Sequence, residues 1–64
     1  ARESKTLRKL EDFGKNTIDE LVKHVYDDVP EQLHPIAKFS LEAHLIKLIR
    51  ENKVKTEREF YKLN

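Results

Sequence analysis

Three histidines at ten-residue intervals, His24, His34 and His44, are the residues of this chain that come nearest to a metal-binding pattern. Zinc shells draw imidazoles at short helical spacings such as i, i+4 and are completed by cysteine or carboxylate, a geometry that ten-residue intervals do not supply. His34 is therefore expected to cap a turn, and His44 to sit at the edge of a core, donating to a backbone carbonyl. Ser40 lies one helical turn before His44 but in no nucleophile elbow, so a small packing role is expected for it. Asp27 and Asp28 are adjacent and expected to be solvated, with nothing to displace their pKa values. A single glycine leaves no phosphate-cradling loop. No catalytic residue, metal ligand or small-molecule substrate is expected of this chain.

Two surfaces remain. Lys38, Lys47, Arg50, Lys53, Lys55, Arg58 and Lys62 could line a phosphate-contacting face, with Lys47, Arg50, Lys53 and Lys55 the candidates for nucleic acid. Glutamates 42, 51, 57 and 59 are interleaved with them, as on an ordinary solvated face. Phe39 and Ile46, seven residues apart with Glu42 and Ala43 between, form the second surface. A duplex reader offers Arg, Lys, Asn or Gln to base edges, whereas exposed phenylalanine and isoleucine suit another protein. Phe39, Ile46, Ala43 and Glu42 are accordingly the expected protein interface, with stacking of Phe39 on an unpaired base as the nucleic-acid alternative.

Composition limits the partners. The 64 residues are 39% charged and 38% hydrophobic, which suits one small domain with a modest core. A net charge of +1 gives little sequence-independent attraction to phosphates. Its distribution is uneven: residues 1–15 carry five Lys/Arg against three Asp/Glu, residues 16–35 one against five, and residues 36–64 seven against four. The absence of cysteine excludes disulfides and thiolate zinc, and fits an intracellular compartment. No apolar run approaches the roughly 18 residues of a membrane span, so no membrane contact is expected. A start at Ala1 in an already helical pattern is expected of a domain excised from a longer chain.

The elements that must position these residues follow from periodicity. Leu7, Leu10 and Phe13 mark one stripe of a first helix, stopped by Gly14. Thr17 with Glu20 is a capping box, and Ile18, Leu21, Val22 and Val25 continue into a second helix flanked by Tyr26. Lys15–Thr17 can form a short strand before it. Asp27–Pro30 ends that helix, Glu31–His34 make one turn, and Pro35 opens a third helix of about seventeen residues to Glu51, with Asn52 as its left-handed cap. Ala37, Leu41, His44, Leu45 and Leu48 fall in one stripe of roughly 100°, the core face. Val54–Thr56 and Phe60–Leu63 read as strands joined by Glu57–Glu59. The expected fold is mainly α, a small α+β winged helix-turn-helix whose three helices pack around Leu10, Ile18, Leu21, Val22, Val25, Leu33, Leu41, Leu45 and Leu48, capped by a two- or three-stranded wing.

Residues 20–54 also carry a family likeness. Glu20-Leu21-Val22-Lys23, Tyr26 before the acidic turn, Pro30-Glu31-Gln32-Leu33-His34, Ala37-Lys38, and Ala43-His44-Leu45-Ile46-Lys47-Leu48 running into Asn52-Lys53-Val54 resemble the C-terminal winged-helix domain of metallo-β-lactamase-fold hydrolases. The lactamase-β-like endoribonuclease branch, whose animal members are mitochondrial and specific for single strands, is the particular likeness. The resemblance implies a parent whose chemistry lies in an upstream dizinc domain with an HxHxDH motif, none of which is present here. It implies zinc in that parent domain, the catalytic domain of the same chain as partner, single-stranded RNA as a further contact, and a mitochondrial or cytoplasmic location. Two positions depart from the pattern: relatives are more polar or basic where Phe39 and Ile46 stand, and Asn52 replaces the usual glycine. The leading expectation is a noncatalytic domain docked on its catalytic partner. An independent, dimeric DNA-binding winged helix and a purely protein-binding one are the alternatives, and fold alone does not separate them.

Overall fold

A computed structural model describes residues 2–64. Helix α1 (Arg2–Phe13) ends where Gly14, at φ +82°, turns its N–H back onto the Leu10 carbonyl at 2.9 Å, a left-handed position that costs glycine nothing. Strand β1 (Lys15–Thr17) leads directly into α2 (Ile18–Val25). The capping box forms at that junction: the Glu20 N–H donates to Thr17 Oγ1 at 3.2 Å, and the Thr17 N–H donates to Glu20 Oε1 at 2.9 Å.

A short 3-10 turn (Glu31–Leu33) precedes α3 (His34–Arg50), which carries Pro35 in its first turn. The expected left-handed cap is present, with Asn52 at φ 60°. The N–H of Lys53 reaches the Leu48 carbonyl at 2.9 Å and that of Asn52 the Ile49 carbonyl at 3.0 Å, the paired bonds of a Schellman ending. Strands β2 (Val54–Glu57) and β3 (Phe60–Leu63) follow. Glu57 belongs to β2 rather than to the connection, so the hairpin turns on Arg58 and Glu59 alone, with Arg58 at φ 58°. All pairings are antiparallel in the order β1-β3-β2, which makes β3 the central strand and the wing three-stranded. Three helices with this sheet are a small α+β winged helix.

Leu10, Leu21, Val22, Val25, Tyr26, Ala37, Leu41, Leu45, Leu48 and Val54 form one core. Ile18, Tyr61 and Leu63 pack against its edge, and Val54 anchors the wing to the helices. Leu33 was expected in this core and is 45% exposed, because a three-residue 3-10 turn has no periodic face to bury it. Phe13 is also exposed, stacked on His24 with ring centroids 4.5 Å apart. Thr6 takes a buried place on α1 instead, its hydroxyl satisfied by the Arg2 carbonyl at 2.8 Å.

Candidate functional site

Helix α3 is apolar on two opposite sides. Inward, Leu41, Leu45 and Leu48 are fully buried and Ala37 nearly so. Outward, Phe39 is 77% exposed, Ile36 67% and Ile46 46%, with Glu42 and Ala43 exposed among them. Positions 36, 39, 43, 46 and 50 advance by alternate steps of three and four, the 3.5-residue period that keeps a seam aligned with a partner. At 1.5 Å per residue the line runs about 20 Å along the helix and ends at Arg50. Single exposed apolar residues are ordinary; three bulky ones along one line of a helix are not. Ile36 extends the expected pair of Phe39 and Ile46, and the three-and-four spacing is the signal that marks it.

The basic candidates divide into paired and unpaired groups. Lys47 Nζ donates to Glu3 Oε2 at 3.0 Å, a bond that raises the lysine's pKa and lowers the glutamate's. Lys53 lies 3.3 Å from Glu51. Among the described residues, Arg50 and Lys55 enter no ion pair and hold the unneutralised charge of this edge. Arg50 both closes the apolar line and opens the basic edge, so the two surfaces are contiguous.

The aspartates of the acidic turn are not simply solvated. The Arg2 guanidinium donates two hydrogen bonds to the Asp28 carboxylate, at 2.8 and 3.2 Å, while donating to the Val25 carbonyl at 2.8 Å and lying 4.4 Å from the Tyr26 ring centroid. Lys5 donates to Asp27 Oδ1 at 2.6 Å. These hydrogen bonds from α1 hold both carboxyls below their ordinary value, a correction to the expectation of unperturbed groups. Twenty-odd residues separate the partners, so the pairing is a product of tertiary structure.

The histidines serve the scaffold. His34 Nε2 faces the carbonyls of Tyr26 at 3.1 Å and Val29 at 3.0 Å; both can only accept, so Nε2 carries the proton and donates to both. His34 thereby fastens the loop between α2 and α3. The backbone-carbonyl bond expected of His44 belongs to His34 instead: His44 is half-buried and makes no hydrogen bond among the described residues. Ser40 is exposed on α3, not packed. Among the described residues no three His, Asp or Glu side chains converge as a metal shell requires. No helix there is long and apolar enough to cross a membrane.

A family model described as the beta-lactamase associated winged helix domain matches residues 17–62, from the capping threonine of α2 to the central strand of the wing. No solved structure matches the chain. The matched span covers well over half of the sequence and contains the apolar line, the basic edge, β2 and most of β3, while α1, Gly14, the first two residues of β1 and the last two residues of the chain lie outside it. The chain therefore belongs to the beta-lactamase-associated winged-helix domains.

Proposed function

We propose that this domain is a noncatalytic module of a β-lactamase-fold hydrolase, an endoribonuclease, and docks on the catalytic domain of its own parent chain through Phe39, Glu42, Ala43 and Ile46, with Ile36 extending the contact. Lys47, Arg50, Lys53 and Lys55 then lie on the side that faces RNA. Zinc belongs to the parent's catalytic domain, and the protein works inside the cell, in the mitochondrial matrix or the cytoplasm.

The observation that carries this reading is the outward apolar line of α3. Its exposed side chains offer on the order of 400 Å² of apolar surface, about half of what each partner buries in a stable free-standing interface. A tether in one chain makes up the difference, since it raises the effective concentration of the second surface to roughly millimolar. Arg50, at the end of that line, and Lys55, on β2, enter no ion pair among the described residues, which supports the RNA-facing edge.

The test is binding in trans to a separately produced catalytic domain. Phe39→Glu and Ile46→Glu each place a charge in the seam and are expected to weaken binding by at least about a hundredfold while leaving the fold intact. Wild-type binding by both variants would remove the docking reading.

A further inference from the structure

The register of the sheet aligns like charges. Lys15 on β1 stands directly opposite Lys62 on β3, and Lys62 directly opposite Lys55 on β2. Directly opposed side chains share a face, and strand alternation sends Asn16, Val54, Tyr61 and Leu63 to the other side, where Asn16 and Val54 are buried. Three ammonium groups therefore form one rung across the outer face of the wing. The neighbouring rung on that face is Thr17, Phe60 and Glu57.

Like charges opposed on adjacent strands destabilise a sheet, so folding gives no reason for this rung. Glu57 offsets part of it, with carboxylate oxygens 3.6 Å from Lys15 Nζ and 3.4 Å from Lys62 Nζ. Lys62 and Lys15 in turn hold the glutamate's pKa down. One carboxylate serves two lysines, Lys55 has no pair among the described residues, and Arg58 adds a further cation at the hairpin tip. Phe60 lies beneath Lys15, whose Nζ is 4.9 Å from the ring centroid. Lys15 is exposed and Phe60 half-buried beneath it, so Lys15 can swing aside and bare the ring's outer face.

We infer that the outer face of the wing is a site for single-stranded nucleic acid, in which Lys15, Lys62 and Lys55 hold phosphates and Phe60 stacks a base. At a strand spacing of about 4.8 Å the rung is about 10 Å wide, and its flexible stems reach successive phosphates. Only an unpaired base can lay its flat face on Phe60, so the site selects single strands over duplex. The inference extends the RNA-facing side of the proposed function through their shared residue Lys55, but it does not require docking.

The experiment is fluorescence anisotropy of the 64-residue chain with a labelled oligouridine and with a duplex of equal length, over a range of salt concentrations. The single strand should bind more tightly, with a slope of log K against log salt near −2, from about −0.7 for each of three phosphates. Lys62→Ala should weaken binding about threefold to tenfold at low salt and make the slope shallower by about 0.7, and Lys15→Ala should repeat this from the other end of the rung. Phe60→Ala should weaken binding at least about fivefold and leave the slope unchanged, since stacking releases no counterions. Removing a lysine relieves repulsion, so thermal melting should show both lysine variants folded. No catalytic domain is present in this experiment, so its outcome is read independently of docking. Wild-type affinity in the Lys62 and Phe60 variants, or equal affinity for duplex, would overturn the wing site. Loss confined to Arg50→Glu would also overturn it, while leaving an RNA-facing edge on α3.

Discussion

The inward and outward faces of α3 carry similar residue types at similar spacing, yet one is sealed and the other open. Leu41, Leu45 and Leu48 are packed into one core with residues of α1, α2 and the wing, whereas Ile36 and Phe39 stand mostly in water and Ile46 about half so. Burial, and with it stabilisation, depends on what faces a side chain and not on its hydrophobicity alone. A small domain that leaves bulky apolar groups in water gives up stability it could have used. The inner face thus answers to folding and, on the docking proposal, the outer face answers to binding, so substitutions should separate the two.

The largest effect is expected inside. Leu45→Ala should cost about 2–5 kcal/mol, most of the stability of a domain this size, and urea titration should find it largely unfolded. Phe39→Ser, on the opposite side of the same helix, should lie within about 0.5 kcal/mol of wild type, and a large loss there would break the contrast. Thr17→Ala removes the capping bond that starts α2, the helix against which the inner face of α3 packs. A loss of about 1 kcal/mol is expected, read from the same titration.

Smaller still is the acid dependence. Asp27 and Asp28 have folded-state pKa values below the ordinary 3.8, so their contribution is complete above that value and is lost as pH falls through the lower folded-state values. Melting temperature should therefore drop on the acid side. Asp27→Asn with Asp28→Asn should flatten that drop, and so should high salt, because both pairs are exposed. The smallest effect should be Arg58→Gly, which relieves a left-handed arginine at the hairpin tip and should raise the melting temperature slightly.

Local chemistry was the legible part of this sequence. Thr17 with Glu20, Pro35 and Asn52 each act through neighbouring backbone, so their positions could be read directly, and the three-to-four spacing of Leu41, Leu45 and Leu48 pointed to the inner face. What escaped depends on distant pairing. Lys47 meets Glu3 and Arg2 meets Asp28 across most of the fold, so no window of sequence could show which cations are neutralised. The lysine rung arises from strand register, which is fixed only when β3 lies between β1 and β2. Leu33 escapes a sequence-based placement because an apolar residue in an isolated turn has no period to report its direction. Phe39 and Ile46 stand out in the sequence as apolar residues off the core face of α3, whereas Ile36 emerges only from the full line of exposed positions.

The central claim, that the outer face of α3 is a docking surface, is most directly tested by nuclear magnetic resonance. The isotope-labelled domain would be titrated with the unlabelled β-lactamase-fold domain of its parent, following backbone amide shifts. The account predicts that Ile36, Phe39, Ala43 and Ile46 shift or broaden together while Leu41 and Leu45 change least. Perturbation centred on α1 or the wing, with the outer line of α3 silent, would contradict it.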